Sequence, residues 1–246
     1  MLVLKTIAVA VALGIIFTAT PALAIPVSPD TFQDGTTQGW VANLLGMGSH
    51  PAPPANVADG GPMGVGDNYL LLTAVGGGGN GSRLSAINAS QWAGDYIAEG
   101  VLGIEMHANN LGMTDLFLRL AFEDPLGGPP TNIAYSSDPI FLPAGSGWTF
   151  LFFPIGPSFL TAGLGDVETA LHTATLIRLY HSEADNFPNP ISPIEAIEAQ
   201  LGVDNISAFA PVPLIPEPAT LLLVATGIGA AAATRRRPGR GKGRAR

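Results

Sequence analysis

Carboxylates are the most numerous ionisable groups in this chain: of its 246 residues, 19 are Asp or Glu. Eighteen of them stand between residues 25 and 214, against Arg83, Arg119 and Arg178 and no Lys, which gives that stretch a net charge of −15. Two carboxylates placed across a glycosidic bond are enough for hydrolysis, and Glu123 with Asp124, or Glu183 with Asp185, supply such pairs. Any acidic domain offers pairs of this kind, so no catalytic residue is assigned. The other catalytic signatures are missing. His50, His107, His172 and His181 have no H-E-x-x-H or paired spacing. The run Gly76-Gly77-Gly78-Gly79-Asn80-Gly81-Ser82 leads into no Gly-Lys-Ser/Thr, and Gly145-Ser146-Gly147 is not a G-x-S-x-G elbow. The chain has no Cys, which removes disulfides, thiolate metal sites and a thiol nucleophile. The sequence therefore reads as a non-enzyme, with a polysaccharide-active enzyme, a glycoside hydrolase or lyase, as the alternative.

Binding chemistry is better supplied. A pyranose stacks its apolar face on Trp or Tyr while its hydroxyls seek Asn, Asp or Arg. Trp92 lies in the polar segment Ser90-Gln91-Trp92-Ala93-Gly94-Asp95-Tyr96, so Trp92 and Tyr96 are the expected ligand-binding pair. Trp40 and Trp148 adjoin apolar residues and are expected in the core. A surface of this charge repels polyanions, so no nucleic-acid partner is expected.

The elements that must position these residues are short strands. In Asp115-Leu116-Phe117-Leu118-Arg119-Leu120-Ala121-Phe122 the large apolar residues fall at period two with Arg119 opposite, which predicts a strand packed on one side. Residues 69–75, 101–108, 148–155, 174–180 and 203–209 are further apolar runs bounded by Gly, Pro, Asn or Asp. The pattern predicts an all-β fold, a jelly-roll β-sandwich with one or two short helices. Ser192-Pro193-Ile194-Glu195 has the form of a capping box, and with Gly202 as a stop it predicts a helix over 193–201. A second helical turn or two is expected within 165–173.

Both ends carry addresses. Residues 1–24 form a secretory signal: Lys5, the apolar run from Ile7 to Phe17, and the small-x-small site Ala22-Leu23-Ala24, with maturation at Ile25. Eleven apolar residues make about 16 Å of helix, too little for a hydrocarbon core of about 30 Å. The β-sandwich ectodomain is expected over 25–214. After it, residues 219–234 run without charge into Arg235, Arg236 and Arg237 and a basic tail. This predicts a transmembrane helix whose basic end stays in the cytoplasm, as a sorting signal or as a permanent anchor. Pro216-Glu217-Pro218 just before it holds the chain extended around one acidic residue.

Ile215-Pro216-Glu217-Pro218-Ala219-Thr220, the apolar span and the Arg cluster together resemble the PEP-CTERM sorting domain of Gram-negative bacteria, here 215–246. The resemblance implies exosortase as a partner, transient membrane residence through the C-terminal helix, passage through an inner-membrane intermediate, and a destination on the cell surface or in the extracellular matrix of an exopolysaccharide-producing, biofilm-forming cell. Asp30-Thr31-Phe32-Gln33-Asp34-Gly35-Thr36-Thr37-Gln38-Gly39-Trp40, the closing Val203-Asp204-Asn205-Ile206, and Arg178 in Leu176-Ile177-Arg178-Leu179-Tyr180 resemble the galactose-binding-like and laminin-IV-like jelly rolls. That resemblance implies neighbouring first and last strands, a structural or carbohydrate-binding role alongside exopolysaccharide, and a structural Ca²⁺ held by Asp34 and Asp204 with backbone carbonyls. The alternative for Asp34 is an Asx turn with Gly35.

Overall fold

The computed structural model describes residues 25, 28–42, 49–124, 129–185 and 195–211. The chain divides at Ala210/Pro211, so nearly everything described belongs to the first unit. The signal segment and the sorting segment, with Pro216, Glu217, Pro218, Arg235, Arg236 and Arg237, lie outside the described residues. Among the described residues no helix is long and apolar enough to cross a membrane.

The first unit is a β-sandwich of two antiparallel sheets. One has seven strands: β1 (Trp40–Val41), β4 (Ser85–Asn88), β11 (Leu176–His181), β6 (Leu116–Asp124), β7 (Asn132–Ser136) and β10 (Leu160–Leu164) in that order, with β8 (Ile140–Leu142) also paired to β6. The other has five, in the order β2 (Ala55–Val57), β3 (Tyr69–Val75), β12 (Glu198–Phe209), β5 (Gly103–Asn110) and β9 (Thr149–Pro154). Alternation along each strand sends one set of side chains inward. Leu116, Leu118, Leu120 and Phe122 of β6 meet Leu70 and Leu72 of β3, Ile104 and Met106 of β5, and Leu201 and Val203 of β12 in a single core. The expected neighbouring of first and last segments is present: Asp30 and Ile206 exchange both backbone hydrogen bonds, at 2.8 and 3.2 Å.

The one helix among the described residues, α1 (Val167–His172), falls in the expected place, with Asp166 capping it through the Thr169 amide. The helix expected over 193–201 does not form across its described part. Residues 195–197 are irregular and β12 begins at Glu198, so Gly202 sits inside a strand paired on both sides and stops nothing. A second correction concerns β6: its Arg119 side is buried too, because Ala121, Ile133, Tyr135 and Tyr180 form a smaller cluster on the outer surface of the seven-stranded sheet.

Candidate functional site

Trp92 and Tyr96 are not surface groups: both have no exposed area. The Trp92 and Trp40 indoles each donate to Oδ2 of the buried Asp30, at 2.8 and 2.9 Å, while Gln91 donates to its Oδ1. Tyr96 donates to the Trp92 carbonyl. The polar neighbours of Trp92 thus satisfy a buried indole, and a ring with no free face offers nothing to stack on. Burial outweighs the indole donors and raises the Asp30 carboxyl above its ordinary range.

Asp34 and Asp204, the expected Ca²⁺ ligands, sit in different surroundings. Asp34 is fully exposed, and its Oδ1 accepts from both the amide and the hydroxyl of Thr36, which holds its pKa down. The nearby carbonyls of Phe32 and Thr36 accept the Asn56 and Asn68 side-chain amides. Ca²⁺ takes roughly six to eight oxygens; among the described residues no three acidic or His side chains converge. Asp204 instead lies buried on the outer surface of the five-stranded sheet, opposite His107 of β5. Its Oδ2 accepts from Asn205, whereas its Oδ1, like Nδ1 of His107, has no hydrogen-bond partner among the described residues. Burial, then the charge of Asp67, pushes the Asp204 carboxyl up to about 7.

Of the carboxylate pairs read from the sequence, Glu123 is tied to Arg178 at 2.6 Å and Asp124 accepts the Thr173 hydroxyl. Asp185 stands 3.7 Å from Arg119. Both arginines serve internal bonds on the seven-stranded sheet.

The feature missed in the sequence is an aromatic surface on the other sheet. Trp148, just before β9, and Phe150 and Phe152 within it project to one side at i, i+2 and i+4, while Leu151 and Phe153 enter the core. Phe150 is 56% exposed, Phe152 38% and Phe209 43%. Trp148, expected in the core, is half-buried; its indole donates to the Gly60 carbonyl at 2.9 Å and its ring meets Tyr69 edge-on at 5.3 Å. Two strand glycines make room for these rings. A Cβ on Gly202 would stand 3.0 Å from Trp148 Cη2 and 3.2 Å from Tyr69 Cδ2, and one on Gly103 would overlap the Phe152 ring. The rings therefore rest on bare backbone and keep their outer sides to solvent. Phe152 also packs edge-on against Phe209 at 5.7 Å, and Phe150 against His107 at 5.8 Å. Glu105 of β5 pairs with Phe152 in register, and its Oε1 accepts the Ser207 hydroxyl. Alternation T-F-L-F-F-P in β9, read together with Gly103 and Gly202, was the available signal.

Comparison with known proteins bears on the ends and on the fold separately. Residues 214–237 match the PEP-CTERM protein-sorting motif. The chain carries that motif, which marks an exported protein of the cell envelope. No curated protein matches the chain. Among solved structures, an exo-beta-agarase shares the fold at a TM-score of 0.50 and 12% identity, over 76% of this chain and 25% of the agarase, so the chain spans a quarter of that protein. A family 11 carbohydrate-binding module from Clostridium thermocellum, in complex with a beta-1,3-1,4-mixed-linked tetrasaccharide, aligns at 0.44 and 13% identity, covering 74% of this chain and 94% of the module. A CBM28 module specific for non-crystalline cellulose aligns at 0.45 and 14%, covering 73% and 92%.

Proposed function

We propose that the mature protein is a non-catalytic carbohydrate-binding module, and that it binds glycan on the outer surface of its five-stranded sheet. The observation that carries this reading is the row Trp148, Phe150 and Phe152, in which Gly202 seats Trp148, Gly103 seats Phe152, and Phe150 and Phe152 stay exposed. Such rings match the apolar faces of pyranose units. Trp148 and Phe152 are four strand residues apart, roughly 13 Å, a spacing that suits an extended oligosaccharide better than a single sugar. The export route adds the destination: exosortase recognises Pro216-Glu217-Pro218, the segment beyond it is removed, and the module stays with the exopolysaccharide at the cell surface or in the matrix.

Affinity electrophoresis of the secreted protein through gels containing neutral polysaccharides tests the binding reading. Retardation that disappears in Phe152→Ala supports it; release of reducing ends from the same polysaccharides replaces it with the enzyme alternative. Intact mass of the secreted protein tests the route, with Arg235 to Arg246 absent if the sorting segment is removed.

A further inference from the structure

The aromatic surface is also acidic. No Lys or Arg occurs in any strand of the five-stranded sheet. Register places Glu105, Asp204 and Glu198 outward on the same surface as Phe150, Phe152 and Trp148. Among the described residues, Arg119 and Arg178 are bonded within the seven-stranded sheet and Arg83 is the one exposed Arg, while on the five-stranded sheet itself the basic side chain is His107, opposite Asp204. Glu105 lies on the strand beside β9, next to both Phe150 and Phe152, and its Oε2 takes no hydrogen bond among the described residues. One strand further in, Asp204 is 1% exposed and points a partnerless carboxylate oxygen to the same side.

Resting on the carbohydrate-binding reading, we infer that the glycan taken by this surface is an amine-bearing polysaccharide, a polymer of 2-amino sugars with free ammonium groups. Exposed aromatic rings attract a cation over their faces. A carboxylate between two such rings takes the ammonium in a charge-assisted hydrogen bond. The unpartnered Asp204 oxygen lies beneath, and a bound cation favours the ionised form of that carboxyl by supplying the counter-charge that burial denies it. Uronate or sulfated polymers meet like charge across the whole sheet and are rejected.

The secreted protein is titrated calorimetrically with β-linked glucosamine oligomers and with fully N-acetylated oligomers of equal length. The deacetylated form binds roughly tenfold tighter, Glu105→Gln removes that preference without changing affinity for the acetylated form, and Glu168→Gln on the exposed side of α1 leaves it intact. Equal affinity for the two oligomers overturns the inference. So does a preference eroded as much by Glu168→Gln as by Glu105→Gln, since the attraction is then only that of the net charge. If the acetylated oligomer is bound in a Phe152-dependent way without amine preference, the carbohydrate reading stands alone; if no oligomer or neutral polysaccharide binds, both fall.

Discussion

The two outer surfaces of the sandwich were built from the same strand grammar and reach opposite ends. On the seven-stranded sheet the outward positions carry Arg119, Arg178, Glu123, Tyr135 and Tyr180. Arg119, 2% exposed, donates to the carbonyls of Ser182, Ser136 and Ser137, the latter two at 2.6 Å. Arg178 neutralises Glu123, and the tyrosines are buried beside Ile133, with burial raising the Tyr180 hydroxyl well above its ordinary value. On the five-stranded sheet the outward positions carry Phe150, Phe152 and Phe209, with Phe152 seated over Gly103 and Trp148 over Gly202, and the phenyl rings remain in contact with solvent. Charge placed outward was consumed in closing one surface, and aromatic area placed outward was left on the other. A surface whose donors and acceptors are already matched has nothing to offer a ligand. The open one does.

Breaking the closed surface should unfold the domain, whereas breaking the open one should not. Arg119→Met leaves three buried carbonyls without their donor and should cost about 3–5 kcal/mol in urea unfolding. Trp92→Ala belongs with it, because the ring is core, and should cost a similar ~3–5 kcal/mol. Phe152→Ala, by contrast, should cost only about 1–2 kcal/mol, since over a third of the residue is already in water.

The next effect is pH dependence. Asp204 and Asp30 hold their protons more tightly folded than unfolded, so the stability they contribute is full below the ordinary aspartate value of 3.8. It is lost as pH rises toward the folded value, about 7 for Asp204. From Asp204 this amounts to on the order of 2–4 kcal/mol. Melting temperature should fall between about pH 4 and about pH 7 and level off above, and Asp204→Asn should flatten the fall; an unchanged slope in the variant contradicts the assignment. A smaller effect sharpens the glycine seats. Gly103→Ala pushes the Phe152 ring outward and should cost about 1–2 kcal/mol while weakening glycan binding. The smallest concerns Ca²⁺: a melting temperature higher in excess Ca²⁺ than in chelator supports a site at Asp34 and Asp204, and equal values remove it.

Much of the fold could be read from residue order, because it depends on local alternation: β3 occupies the whole expected run Tyr69–Val75, and β5, β6, β9 and β11 each lie within a residue or two of theirs. The failures arose where distant residues set the local outcome. Gly202 looks like a helix stop until Trp148 of another strand is seen resting on it. Trp92 looks exposed because Ser90, Gln91 and Asp95 surround it in sequence, yet Asp30, 62 residues away, is what its indole needed. Trp148 looked like core because its neighbours are apolar, although alternation along β9 turns it and Phe150 away from the core. Segments β1, β2, β7, β8 and β10 are short, and their pairing partners, rather than their own composition, define them.

Glycan binding on the open surface has a built-in reporter in Trp148, since Trp40 and Trp92 are sealed in the core. Titrating the secreted protein with a bound oligosaccharide while following indole fluorescence should give a saturable change. In Trp148→Ala that change should vanish and calorimetric affinity should drop at least roughly tenfold, with melting within a few degrees of the parent. A folded Trp148→Ala protein that binds the oligosaccharide as tightly as its parent would contradict the account.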